Sequence, residues 1–329
     1  MKQHFLLGLA ALLLMLLIPL VSLRGGTEEK SPPEPSAARQ EKTAAAQVSQ
    51  AAAPVDKEQP AVPVVRASTG KTQAVPLREY LVGCVAAEME ASCHMEALKA
   101  QAVASHTYAR YRLEVGGKAA LSDSGKSDQG FLDQAQRRQR WGKDFELYEA
   151  KVERAVDAVF GQAITRDGKP ILAAYCAVSG GKTESALNYW GDDLPYLQSV
   201  DSPGDKLSPD YSRIATLPAD EVKKALEKAG AKPGKDPSKW FGTPARSEAG
   251  AVLELDAGGK TFSGRALREA LNLRSANFTI IYKNDAFEIT CLGYGHGVGM
   301  SQHGADFMAR QGSDYKEILS HYYADCEIG

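Results

Sequence analysis

Leu77-Arg-Glu-Tyr-Leu-Val-Gly-Cys-Val-Ala-Ala-Glu-Met89 is the stretch on which the reading of this chain turns. Leu77, Leu81, Cys84 and Val85 recur at steps of three and four, the spacing that stacks side chains on one face of an α-helix. Glu88 is the next position on that face. The spacing predicts a helix from Leu77 to Met89. A carboxyl on an apolar face resists ionisation, because burial disfavours its charged form. A carboxyl still protonated near neutral pH is what a general acid for glycoside cleavage requires. The plainer alternative is a glutamate at the helix rim with its carboxylate in water.

Downstream, Met95 to Leu113 has Leu98, Ala102, Ala109 and Leu113 along one side and reads as a second helix, ended by Gly116-Gly117. Ala119 to Gly130 is rich in Gly, Ser and Asp and reads as a surface loop. Glu146 to Val159 repeats the helical pattern through Val152, Val156 and Val159. The period then changes. Gln162 to Tyr175 reads as a β-hairpin turning at Asp167-Gly168, Val252 to Phe262 as one turning at Gly258-Gly259, and Asn277 to Cys291 as one turning at Asn284-Asp285. Short helices are expected over Leu217–Ala229 and Arg265–Leu271. Two helices close the chain, the second carrying Tyr315, Ile318, Leu319 and Tyr322. Helices at both ends and hairpins forming a mixed or antiparallel sheet in the middle give an α+β class.

Upstream, Phe5 to Leu23 is an almost unbroken apolar run between Lys2 and Arg24. At about 1.5 Å per residue it spans a bilayer core of about 30 Å. Val21-Ser22-Leu23-Arg24 is a poor cleavage site, so an uncleaved anchor is expected, with residues 1–4 as a cytoplasmic stub. A late-cleaved signal is the alternative. Residues 24–74 are rich in Ala and Pro and carry no aromatic side chain, which predicts a disordered tether. Residues 75–329 are then an extracytoplasmic catalytic domain, either one large unit or two lobes. The formal charge is −2 with no long basic run, so nucleic acid is not an expected partner. The five cysteines form no CxxC and give no even framework.

Three clusters carry candidate chemistry. The first is Glu88 with Glu96-Ala-Leu-Lys-Ala-Gln-Ala-Val-Ala-Ser-His106-Thr-Tyr108. The second runs from Tyr175 to Asp205 and holds Ser179-Gly180-Gly-Lys182-Thr183-Glu184, Trp190-Gly191 and Leu194-Pro-Tyr196-Leu-Gln198-Ser-Val-Asp201. The third is Gly295-His296-Gly-Val-Gly-Met-Ser-Gln302. Ser179 to Thr183 fails as a P-loop, because Cys176 stands where the first glycine is needed. Ser179 and Lys182 satisfy S-x-x-K and Ser275-Ala-Asn277 fits S-x-N, but Lys260-Thr261 is followed by Phe262, so the set of a serine D,D-peptidase is incomplete. Glycine-rich turns packed on their neighbours explain the second and third clusters equally well. Alternatively, the missing side chains admit a sugar to the backbone, with His296 and Gln302 as hydrogen-bond partners. Cys93-His94 stands apart from any metal-binding pattern.

In their order and spacing, these clusters resemble the stage II sporulation protein D family of sporulation lytic transglycosylases. The resemblance runs from about Val75 to the end and includes the apolar N-terminus. It implies cleavage of the bond between N-acetylmuramic acid and N-acetylglucosamine in peptide-stripped peptidoglycan glycan strands, with formation of a 1,6-anhydro product during engulfment. It places Glu88 on the catalytic glutamate. It also implies substrate contacts at His106, Ser179, Gly180, Lys182, Thr183, Glu184, Tyr196, Gln198, His296, Gln302 and Tyr322. His106 stands where the family usually has Arg, Gln198 where it often has Lys, and His303 where Tyr is common, which keeps a non-catalytic glycan-binding scaffold as an alternative. The implied partners are stage II sporulation proteins P and M, and the implied place is the mother-cell membrane facing the forespore. Some members carry zinc after the second helix. Leu121 to Gln134 holds no Cys or His here, so no metal and no cofactor are expected.

Overall fold

The computed structural model describes residues 60–329. The expected stub, the anchor over 5–23 and the tether up to residue 59 lie outside the described residues. The helices are α1 (Leu77–Glu88), α2 (Met95–Arg110), α3 (Gln134–Trp141), α4 (Phe145–Ala158), α5 (Ala186–Trp190), α6 (Ala219–Lys228), α7 (Gly264–Ala270), α8 (Gln302–Arg310) and α9 (Tyr315–Tyr322). The class is α+β, with the strands divided among several small sheets.

A first hydrophobic core is built around α2, against which α1, α4, α8 and α9 pack. Ala97, Ala100, Ala102, Ala104 and Ala109 are all buried, so α2 offers small residues on most sides and neighbours approach it closely. Its polar members are satisfied internally. Thr107 Oγ1 donates to the Val103 carbonyl at 2.7 Å and accepts from the Ile164 amide at 2.8 Å. His94 caps the helix through the Glu96 amide, which gives the Cys93-His94 pair a structural role.

The sequence reading has no α3, because its buried anchor is an arginine. Arg137 is fully buried and pairs with Glu149 of α4 at 2.7 Å and Glu79 of α1 at 2.8 Å. A capping box between Asp133 and Gln136 starts the helix.

The expected tether ends earlier than residue 74. Ala61–Val65 and Thr72–Pro76 pair antiparallel, with Val62, Val64 and Val75 buried, and Val64-Val65 also pairs parallel with Leu121-Ser122. Three inward valines and a neighbouring strand supply the burial that composition alone did not suggest. The hairpin at Asp167-Gly168 is shorter than expected: Ile164–Arg166 pairs with Lys169–Pro170. Tyr175–Cys176 leaves it to pair parallel with Met300–Ser301, and Glu327–Ile328 returns to Ile164–Thr165. The first lobe is therefore made from both sides of the chain.

Residues 212–292 form a second lobe with its own core of Val222, Leu226, Trp240, Leu255, Phe262, Leu267, Phe287 and Ile289. Phe278–Lys283, Ala286–Leu292 and Ser212–Pro218 lie side by side, all antiparallel, and Asn284-Asp285 makes the expected turn with both φ near 55° (52° and 58°). Among the described residues, no helix is long and apolar enough to cross a membrane.

Candidate active site

Glu88 is the last residue of α1, where unpaired carbonyls form the negative end of the helix dipole. Its half-buried carboxyl accepts a hydrogen bond at Oε1 from the Gly130 amide. A Cβ at Gly130 would stand 2.9 Å from that oxygen and 3.0 Å from Ala87 Cβ, and one at Gly125 would stand 3.6 Å from the same oxygen. Two glycines thus let the loop of residues 123–133 lie directly across the acid. Burial raises the Glu88 pKa above the usual carboxylate range, while the Gly130 amide and the Arg140 guanidinium pull part of the way back.

That loop is not the free surface loop expected from its composition. Gly83, one turn before Ala87 on α1, allows the close approach: a Cβ there would stand 2.4 Å from the Phe131 ring and 2.5 Å from the Leu132 carbonyl. Asp128 has a fully buried side chain held by Lys118 at 2.7 Å, Arg112 at 3.2 Å and the Ser122 amide at 2.9 Å. Arg66 bridges Asp123 at 3.2 Å and Asp133 at 2.9 Å. Buried Gln129 donates to Tyr80 Oη at 2.8 Å and the Ser105 carbonyl at 3.0 Å, and accepts from Tyr175 Oη at 3.0 Å. Gly130, Tyr108, Tyr175 and Arg140 all interact with Glu88; Tyr108 and Tyr175 stood in the sequence clusters without an assigned role, and Gly130 and Arg140 went unmarked. Their contacts are made by backbone, glycine and long-range pairing, which leave no periodic mark.

Tyr175 links the acid to the glycine turns. Its buried phenol lies in the electrostatic reach of Glu88, and its backbone faces the His296 ring. Ser179, Gly180, Lys182, Glu184 and His296 line one small pocket with Asn277 and Ser275 of the second lobe. The His296 ring packs on Trp190 at 5.1 Å and Tyr189 at 5.9 Å, and its Nδ1 accepts from the Val298 amide at 3.0 Å. Burial, with Arg268 nearby, pushes its pKa down to about 4, so it is a neutral ring.

Other expected contacts hold the scaffold. The Glu184 carboxylate accepts from the Ser185 amide at 2.9 Å, Asn188 Nδ2 at 2.8 Å and the Ser247 hydroxyl, which fixes α5 and ties the lobes together. Thr183 Oγ1 accepts from the Val200 amide at 2.9 Å. Tyr196 Oη accepts from the Leu172 amide at 3.2 Å. Gln302 Nε2 donates to Gln101 at 3.1 Å, and Tyr322 Oη sits 2.8 Å from Ser202 Oγ. Gln198 is exposed and folds back on the Leu194 carbonyl at 3.1 Å. His106 is buried, with Nδ1 2.7 Å from the Gln162 carbonyl, and burial lowers its pKa, so it supplies no fixed positive charge.

Ser179 does not meet Lys182 as a serine D,D-peptidase needs. Its hydroxyl and amide both donate to buried Asp205, whereas Lys182 Nζ reaches Glu248 at 3.4 Å. Among the described residues, no three His, Cys, Asp or Glu side chains converge to hold a metal ion, and all five cysteines are unpaired. No second carboxylate is among the groups that shift Glu88.

The SpoIID family model, described as Stage II sporulation protein, matches residues 66–165. That span holds Glu88, α2 and the covering loop. A stage II sporulation protein D of Bacillus amyloliquefaciens is 36% identical over 98% of this chain and 93% of its own length. One of Bacillus subtilis is 38% identical over 81% of this chain and 78% of its own. An uncharacterised protein of Brachyspira hyodysenteriae is 31% identical over 77% of this chain and 66% of its own.

Proposed function

Because this chain belongs to the stage II sporulation protein D family and so acts in sporulation, we propose that it is a peptidoglycan lytic transglycosylase with Glu88 as its acid and base. One observation carries the reading. A single half-buried carboxyl, its pKa raised by burial, lies under the Gly130 amide, and among the described residues no second carboxylate is in the set of groups that shift it. A hydrolase of the common kind needs two carboxylates, one to protonate the leaving oxygen and one to attack or to activate water.

With one acid the steps close on themselves. Glu88 gives its proton to the glycosidic oxygen as the bond from the muramic acid anomeric carbon breaks. The carboxylate left behind accepts a hydrogen bond from the Gly130 amide. It then takes the proton of the muramic acid 6-hydroxyl as that oxygen attacks the anomeric carbon, giving the 1,6-anhydro ring. Glu88 ends protonated, and no water enters the balance. A placed acid–base contributes roughly 10²–10⁴-fold. The pocket beside His296 and the aromatic faces of Tyr189 and Trp190 suit neighbouring sugars of the strand. The apolar run Phe5–Leu23 would tether the enzyme to the membrane, and stage II sporulation proteins P and M are its proposed partners.

Digestion of peptide-free glycan, read by mass spectrometry, tests this. The expected result is 1,6-anhydro ends from the parent and none from Glu88→Gln. Reducing ends without anhydro sugar would overturn the mechanism, and binding without products would leave a glycan-binding scaffold.

A further inference from the structure

We propose that Arg140 is a positioning residue for the acid–base: from α3 its guanidinium holds the chain on both sides of Glu88 and sets a positive charge beside that carboxyl. The inference rests on the role assigned to Glu88 above and concerns what tunes it. Arg140 Nη1 donates to the Ala87 carbonyl at 3.3 Å and Nη2 to Glu90 Oε1 at 3.0 Å. The guanidinium therefore grips residues 87 and 90 and stands beside residue 88. The last turn of α1 has no basic residue of its own. Its exposed carbonyls would disfavour a carboxylate at position 88, and a cation from another helix answers both the carbonyl and the acid.

The other titratable groups that face Glu88 are neutral. On α1 this is Cys84, on α2 Tyr108, and on Tyr175–Cys176 the Tyr175 phenol, all with pKa values raised by burial and therefore uncharged near neutral pH. Asp128 on the covering loop is already paired with Lys118 and Arg112, and Glu90 is paired with Arg140 itself. Arg140 is the one cation among the groups that shift Glu88, and the Gly130 amide is the one neutral donor. His106, where the family usually has Arg, is buried with its pKa lowered, so it adds no fixed charge near neutral pH. The reach of Arg140 is set by α3, whose preceding turn is locked by the fully buried Arg137 between Glu79 and Glu149.

This arrangement matters because burial alone makes an acid that holds its proton too well. A weaker acid donates more slowly, and the carboxylate it leaves is costlier to form. A neighbouring cation recovers part of that loss without ionising the group beforehand.

The test is a titration of Glu88 in the full chain, carrying ¹³C at the glutamate carboxyl carbons and followed by NMR. The Glu88 signal is assigned by its absence in Glu88→Gln. In Arg140→Gln the midpoint is expected to move upward, as the loss of a neighbouring cation requires. Arg140→Lys should restore most of it. Added salt should raise the midpoint in the parent and not in Arg140→Gln. The alkaline limb of the glycan-cleavage profile should move up with the titration while the plateau rate falls. A mere clamp between α3 and α1 would lower the melting temperature and leave the midpoint unmoved, and that result would overturn the inference. Full activity in Glu88→Gln would instead sink the catalytic reading, and the titration would still decide whether Arg140 acts on Glu88.

Discussion

Gly130→Ala is the sharpest perturbation the structure offers. A Cβ at this position would lie 2.9 Å from Glu88 Oε1, 3.0 Å from Ala87 Cβ and 3.6 Å from Glu88 Cδ. Gly130 is not among the residues with positive φ, so alanine brings no backbone strain there. The carboxyl must swing away, and the amide that donates to it loses its acceptor. A hydrogen bond to a charged partner is worth about 1.5–3 kcal/mol, which is roughly ten- to a hundredfold in rate if felt in full as the carboxylate forms. Displacement of a reacting group by about 1 Å costs a similar factor of about 10². Release of anhydro sugar from peptide-free glycan should therefore fall by about ten- to a hundredfold. Only a side-chain end and a methyl need to give, so stability should drop by no more than about 1–3 kcal/mol. The assay pairs the digestion rate with a thermal melt of the same sample. A variant that cleaves like the parent and melts at the same temperature would refute the idea that this loop governs the Glu88 carboxyl.

Glu88 also carries a stability signature. Its pKa is raised on folding, so below the ordinary carboxylate range both states hold the proton and the group costs nothing. As pH rises past that range the unfolded chain ionises first, and stability is lost on approach to the folded value. Glu88→Gln should thus raise the melting temperature more at about pH 8 than at about pH 4, and an equal change at both would contradict the burial effect. Arg137→Ala should cost about 3–5 kcal/mol by chemical denaturation, because Glu149 is left buried without its partner; a loss under about 1 kcal/mol would mean that α3 does not depend on this pair.

Local pattern made the regular elements legible. The helix expected over Leu77–Met89 is α1, Glu146–Val159 is α4, and the turns at Gly258-Gly259 and Asn284-Asp285 are where the hairpins fold back. What failed to show was long-range and charged. Arg137 anchors α3 from a sequence, Gln-Ala-Gln-Arg-Arg-Gln-Arg-Trp, that reads as polar but for Ala135 and the final Trp141. The loop over Glu88 is fixed by Arg66, far away in sequence, and by Lys118 and Arg112 from the stretch before it, so its composition suggested only solvent. At the site, Glu88 was visible because it sits on an apolar stripe. Tyr175 and Arg140 were not, since their nearness to it depends on how elements cross. Buried Thr183, Tyr196, Gln302 and Tyr322 stood out as motif members, yet their polar atoms hold backbone and neighbouring side chains together.

Ser212 and Leu292 face one another as antiparallel partners, so the middle of the chain leaves and returns through a single doorway. Such an excursion adds little to the entropy of joining its two ends, because that cost grows only with the logarithm of length. During synthesis the excursion is complete, with all of its own core, before the closing helices emerge. Ile318, Leu319 and Tyr322 belong to the earlier core and arrive last, so a ribosome stopped short of them would release a molecule finished at its centre and open at its beginning.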